Sequence, residues 1–299
     1  MNEFALTSPA APKKPRVRRG GWSWGPVEGA KLRTLSFGGG IQSTTLVEMM
    51  IAGVLPWVDA IIYAENNDGQ RTREHVARME ERVRQASNYV QFLRVGEEMA
   101  LTETIRARST GDRGFGSGKR FVAAPFFTSN GGQGRRQCTR EFKTEPLERR
   151  QRDLLGYKPR QRIPARSCEV WIGISTDEVV RAGAAFAGWV VNRYPLLEMR
   201  MSRQDCVRWL SERGLRVPPK SACIFCPYRS DSEWRWLRDN DPEGWAEAVE
   251  IDRLIRSTPG MRELEFLHSS RQPLAEVDLS TAAERGHGML MVCEAGCGL

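Results

Sequence analysis

Apolar positions first become regular at Leu32. Leu32–Phe37 reads as a short strand, and three glycines, Gly38 to Gly40, follow it. From about Ser43 to Ala52 apolar residues recur at helical spacing, and Gly53 closes the run. Val58–Ala64 is a nearly continuous apolar stretch, as in a strand buried on both faces. Over Glu74–Tyr89 the residues Val76, Met79, Val83 and Ala86 share one helical stripe, and Val90–Val95 reads as a third strand. Strands alternating with helices predict an α/β fold, an open and mostly parallel sheet with helices on both faces.

Residues 108–136 are rich in Gly and Ser and lack periodicity, so they read as a long loop. Glu169–Ser175 restores the strand pattern. Ser202 opens a helix that runs to Arg213 and stops at Gly214. A loop with Pro and Cys spans 215–229, and helices are expected around 230–239 and 242–256. The last 35 residues are less regular. Three parts follow: a disordered basic arm over 1–28, an α/β domain over 29–200, and a helical, cysteine-containing region over 201–299.

Composition narrows the class. The 299 residues are 40% hydrophobic and 27% charged, an ordinary globular balance, with no apolar run of membrane-spanning length. No apolar stretch precedes the basic residues at the N-terminus, which reads against a secretory signal and for a cytoplasmic protein without a membrane partner. The net charge of +8 is concentrated. Residues 1–20 carry +4 and residues 133–166 carry +7, which points to an anionic partner, either a nucleotide or a nucleic acid. Seven cysteines, an odd number, suit reduced thiols that bind metal or react better than a disulfide framework.

Several positions carry candidate chemistry. A strand, a glycine turn and a helix in succession let the backbone approach an anion, and the helix N-terminus then offers its free N–H groups. Ser36, Ser43 and Thr44 add hydroxyls there. The segment lacks the Lys of a P-loop and the G-x-G-x-x-G spacing of dinucleotide folds. Cys223 and Cys226 form C-x-x-C, a spacing that lets two thiolates share one metal or cluster. Cys138 lies in the most basic segment, which favours its thiolate. Arg135, Arg136, Arg140 and Lys143 suit sulfate, phosphate or a nucleic-acid backbone. Asp177 follows a strand end, where it can face a ribose or magnesium, with Arg181 toward a phosphate. His75, His268 and His287 show no ligand or triad spacing.

Ser36-Phe37-Gly38-Gly39-Gly40-Ile41-Gln42-Ser43-Thr44 resembles the pyrophosphate loop (PP-loop) of the adenine-nucleotide α-hydrolase superfamily, and within it the phosphoadenosine phosphosulfate (PAPS) reductase family. Gln42 stands where ATP-cleaving members carry Asp. Five further segments follow in the order of that family: Tyr63–Asn66, Cys138–Lys143, Ile172–Arg181, Tyr194–Leu196 with its helix and Gly214, and the C-x-x-C pair. The resemblance implies an adenine nucleotide at Ser36, Gly38, Gly39, Gly40, Gln42, Ser43 and Thr44, with Glu65, Asp177, Arg181, Arg140 and Lys143 around it. It also implies a [4Fe–4S] cluster on Cys138, Cys223 and Cys226. Gln137 takes the place of a paired upstream Cys, so Cys168, Cys206, Cys293 and Cys297 are candidates for a fourth ligand, and Cys293 is the one adopted here. Zinc suits the same donors. Cys297-Gly298-Leu299 resembles the tail whose cysteine attacks the sulfonate sulfur, which makes Cys297 the expected nucleophile.

Three functions are therefore expected in turn. The first is a reductase that turns PAPS or adenylyl sulfate into sulfite, with a thioredoxin-like thiol donor. The second is an ATP-dependent sulfur transferase acting on tRNA or DNA, with magnesium as a possible companion of the nucleotide. The third is a non-catalytic, zinc-stapled protein that binds nucleic acid.

Overall fold

The computed structural model describes residues 20–96, 100–109, 124–218, 220–259, 261–281 and 284. Its strands are β1 (Gly21–Ser23), β2 (Leu32–Phe37), β3 (Ala60–Ala64), β4 (Gln91–Val95), β5 (Phe127–Thr128), β6 (Cys168–Ile172), β7 (Val190–Arg193) and β8 (Glu265–Phe266). Its helices are α1 (Ile41–Ile51), α2 (Gln70–Ala86), α3 (Ala100–Ser109), α4 (Glu145–Leu154), α5 (Pro195–Glu198), α6 (Arg203–Ser211), α7 (Asp231–Asn240) and α8 (Pro242–Arg256).

Six strands form one sheet in the order β1-β7-β6-β2-β3-β4, and every pairing is parallel. Helices flank it. β3 is buried along its whole length, which is why its sequence shows no polar alternation. α1 is buried from Ile41 to Met50, polar residues included, so it runs through the interior. Its one buried carboxylate, Glu48, accepts two bonds from Arg82 on α2, each 2.6 Å. Leu35, Leu46, Val47, Ile61, Val76 and Val83 pack as the main core, each fully buried. Burial of side chains of this size contributes roughly 1.5–3 kcal/mol apiece. A second core, with Phe126, Ile224, Trp234, Leu237 and Ile251, lies under α7 and α8.

The chain leaves β2 in one direction, to β3 and β4, and returns on the other side as β6 and β7. The strand order therefore reverses between β2 and β6. In open α/β sheets the carboxyl ends of the strands at such a reversal form the ligand crevice.

Several local expectations need correction. Gly21–Ser23 falls in the span read as a disordered arm, yet it is an edge strand paired with β7. Its three residues are too few to show a period, and its partner lies far away in sequence. Ala86 is exposed; the buried stripe of α2 is Thr72, His75, Val76, Met79 and Val83. Part of the expected loop over 108–136 is the strand β5, which pairs antiparallel with β8. β6 ends at Ile172, and Gly173 to Ser175 leave the sheet. α6 starts as expected at Ser202, whose side chain forms a capping box with Asp205.

Candidate active site

Gly38 to Gly40 lie at the carboxyl end of β2, beside the strand reversal. Gly39 has φ +69°, and a Cβ there would sit 3.2 Å from Thr72 and 3.3 Å from Val76. Both its conformation and its neighbours exclude a side chain. Gly40 is the N-cap of α1 and has no side-chain cap, so the first amides of the helix are open to an anion. Ser43 Oγ ties the turn to the helix. It accepts from Gly38 N–H at 3.3 Å and donates to the Gly40 carbonyl at 3.2 Å.

Gln42 spans the reversal. Its amide donates to Ser175 Oγ at 3.3 Å and to Glu178 Oε2 at 3.2 Å, both in the segment after β6. Gly173 makes this approach possible, because a Cβ there would lie 2.8 Å from the Ser43 nitrogen. Thr44 is buried and meets His75 Nε2 at 2.8 Å. Burial, with Arg78 and Arg216 nearby, lowers the imidazole pKa to about 4, so it is neutral at physiological pH.

The cysteine loop packs directly on this turn. A Cβ on Gly40 would lie 3.9 Å from Ser221 Cβ, and one on Gly39 would lie 3.8 Å from Ser221 Oγ. Ile224 N–H donates to the Asn67 carbonyl at 2.9 Å, and Asp68 pairs with Cys223 as an isolated bridge. Cys223 and Cys226 are hydrogen-bonded thiols, and Cys138 interacts electrostatically with Cys226. The Cys223 bond, the Tyr228 backbone and the cations Arg229 and Arg136 lower Cys226 to about 6, whereas Cys223 is raised by its bond to Cys226 and by burial. Burial also raises Cys138, with the charge of Cys226 adding to it. Lys143 acts on Cys138, Cys223 and Asp68 alike, from a π-helical turn (Arg140–Thr144) that runs into α4.

Asp68 is buried. It accepts from Tyr63 OH at 2.5 Å through Oδ2, and its Oδ1 has no partner among the described residues. Burial raises its pKa, while Lys143 opposes the shift.

The expected site residues are thus divided. Ser36, Gly38, Gly39, Gly40, Gln42 and Ser43 line the reversal, whereas Thr44 turns into the core toward His75; Cys223 pairs with Cys226, and Cys138 and Lys143 lie within electrostatic reach of them without converging on one point. Glu65 is turned to Arg94, 3.1 Å away. Asp177 accepts from Arg203 N–H at 2.7 Å and from Ser175 Oγ at 3.3 Å, so it anchors α6. Arg181 pairs with Glu178 on its own turn. Arg140 bonds Glu145 at 3.2 Å and lies over Phe186 at 5.3 Å. Cys168 and Cys206, both candidates for the fourth ligand, are buried in separate hydrophobic cores. Cys293 and Cys297 lie outside the described residues.

Sequence reasoning missed His75, Asp68, Tyr63 and Ser221. For His75 a signal existed, because it stands at a core position of the α2 stripe, where a polar residue needs a partner.

Three thiols supply soft donors of the kind that zinc and iron–sulfur clusters take. Their chemistry fits such a group. Among the described residues, however, no three Cys, His, Asp or Glu side chains converge as a ready metal site. No helix among the described residues is long and apolar enough to cross a membrane. A scan of protein-family models finds no match to the chain, and neither does a search of curated proteins.

Proposed function

We propose that the chain is an adenine-nucleotide enzyme of sulfur chemistry, and specifically a reductase of the PAPS reductase type. One observation carries the reading. The cysteine loop passes beside the glycine turn: Ser221, two residues before Cys223, occupies the space that a side chain on Gly39 or Gly40 would enter. An anion held by the turn is then adjacent to thiols.

In this reading the first amides of α1 hold the phosphate of PAPS or adenylyl sulfate, while the Ser43 and Thr44 hydroxyls shape the turn through the Gly40 carbonyl and His75. Gln42 fixes the segment after β6 against that helix. Lys143 draws the sulfonate end toward the thiols. Cys297, as its thiolate, attacks the sulfonate sulfur. The sulfur–oxygen bond to the phosphate breaks, and the nucleotide leaves with that electron pair. A thiol of the thioredoxin-like donor then attacks the Cys297 sulfur, giving a disulfide and sulfite. Cys138, Cys223 and Cys226 would hold an iron–sulfur cluster or zinc, which when bound would supply a Lewis-acidic, thiophilic centre beside the nucleotide.

The test is sulfite release from PAPS by anaerobically purified protein with a reduced dithiol donor and ATP-only controls. Many turnovers of sulfite, lost in Cys297→Ala while nucleotide binding persists, are expected. Pyrophosphate release from ATP that depends on nucleic acid, without sulfite, would replace this reading by the sulfur-transferase one.

A further inference from the structure

The other face of the cysteine loop borders a second cavity. It has a volume of about 270 Å³ and is lined by the first turn of α2, by Lys220, Ala222 and Arg229 of the loop, and by Trp236 and Leu237 of α7. Thr72 lines this cavity and also abuts the Gly39 position, and Ala222 of its lining directly precedes Cys223.

The lining has a definite chemistry. The Arg71 guanidinium stacks on the Trp236 ring at 4.5 Å, and Leu237 gives an apolar floor. Lys220 adds a cation, whereas the Arg229 guanidinium is held by the carbonyls of Ala222, Cys223 and Ile224 and braces the loop. Lys220 is paired with Glu233 at 3.0 Å but remains half-exposed; Asp241 also lines the cavity, with Oδ1 on the Gly244 amide at 2.9 Å and Oδ2 beside Gly69. The N-cap Gly69 of α2 places no side chain over the first turn, and its carbonyl takes the Thr72 amide at 2.9 Å. A stacked guanidinium–indole face over an apolar floor, with the half-exposed Lys220 ammonium beside it, fits a planar base on a phosphate-linked strand.

The loop itself carries a second stack of the same kind at Tyr228. Arg136 covers the ring of Tyr228 at 5.3 Å, and Tyr228 is exposed. Lys220 connects the two, because its ammonium also reaches the Tyr228 carbonyl at 3.5 Å. One free nucleotide would use only one stack. Two in succession, on a surface continuous with the basic segment, match a strand whose neighbouring bases stack in turn.

We propose that the surface around Cys223–Cys226 binds a single-stranded nucleic acid, one base of which enters the cavity against Arg71 and Trp236. This goes beyond the reductase reading and does not depend on it, since its ligand is distinct from the nucleotide of the glycine turn.

The experiment is fluorescence anisotropy of a labelled mixed-sequence dodecamer, as RNA and as DNA, with the full chain at two salt concentrations. Saturable binding is expected, displaced by unlabelled single strand but not by duplex or by mononucleotide at equal nucleotide concentration. Trp236→Ala and Tyr228→Ala should each weaken it by about tenfold or more, whereas Trp236→Phe should restore most of it. Lys220→Ala should reduce the salt dependence. Far-UV circular dichroism and adenine-nucleotide binding at the glycine turn should stay unchanged, which separates this result from any failure of the reductase reading. Equal competition by duplex, or unchanged affinity in both aromatic variants, would overturn the proposal. Full displacement by mononucleotide would overturn the strand and leave a free-nucleotide cavity.

Discussion

Thr44 Oγ1 and His75 Nε2 lie 2.8 Å apart in the core, one on the helix that follows the glycine turn and the other on α2. The contact joins the candidate phosphate site to the opposite layer. Each group is the buried partner of the other.

His75 titrates at about 4 in the folded chain and near 6.5 when unfolded. Between those values the unfolded state binds more protons, so stability falls as pH drops through that window. Relative to His75→Gln, the wild type should lose about 2 kcal/mol between pH 7.5 and pH 5. Urea melts of both proteins at the two pH values measure this, and parallel pH profiles would refute it. His75→Phe should cost about 1–3 kcal/mol at pH 7.5, because the Thr44 hydroxyl loses its partner.

The two glycines flanking the strand reversal should be intolerant for different reasons. Gly173→Ala drives a methyl into the amide end of α1, and Gly39→Ala combines a left-handed backbone with crowding by Thr72 and Val76. Each should destabilise by about 1–3 kcal/mol and abolish adenine-nucleotide binding. Gly38→Ala meets nothing within 4 Å, so its melting temperature should stay near that of the wild type. Calorimetric melts and nucleotide titration of the three variants decide the point.

Gln42 holds Ser175 and Glu178 through one amide. Gln42→Ala should cost about 1–2 kcal/mol and weaken nucleotide binding several-fold. Gln42→Glu should be worse at neutral pH, since it sets a carboxylate against Glu178, and should recover as pH falls toward 4. Recovery on raising the pH instead would contradict this geometry.

Asp68 gives a pH effect of opposite sign to His75. Its carboxyl keeps a proton to higher pH when folded, because burial raises it. The wild type should therefore lose stability relative to Asp68→Asn as pH rises from 4 through the raised value. Chemical denaturation across that range is the check.

In metal-free protein, Cys226 should be alkylated ahead of the other described cysteines, at a rate that rises through about pH 6. Mass spectrometry after brief iodoacetamide exposure tests this. Prior alkylation of Cys168, which burial raises to about 12, would argue against the arrangement.

Much of the sheet was legible because its signals are local. The run into Gly38–Gly40, the apolar stretch ending at Ala64 and the Ser202 cap each lie within a few residues of sequence. β7 and β1 were not legible, since each is short and owes its place to a distant partner. α3 carries its buried side chains, Leu101 and Ile105, among charged neighbours, which weakened its stripe. The glycine turn and the thiols could be located from spacing. Asp177, Arg181 and Glu65 have the right types in the right order, yet their hydrogen bonds and ion pairs commit them to protein partners, and no sequence pattern reports that.

The strand order also bears on how the molecule is made. The β2-α1-β3-α2-β4 unit is contiguous and can assemble while the chain is still being synthesised. β6 joins it only after a long excursion, pairing Leu32 with Cys168, and β1 must wait for β7, where Gly21 meets Val191. The first half of the proposed phosphate cradle therefore exists before the second. Gly173, Ser175 and Glu178 complete it late, so on the proposed function a nucleotide that needs both halves would select finished chains and draw the last folding step forward.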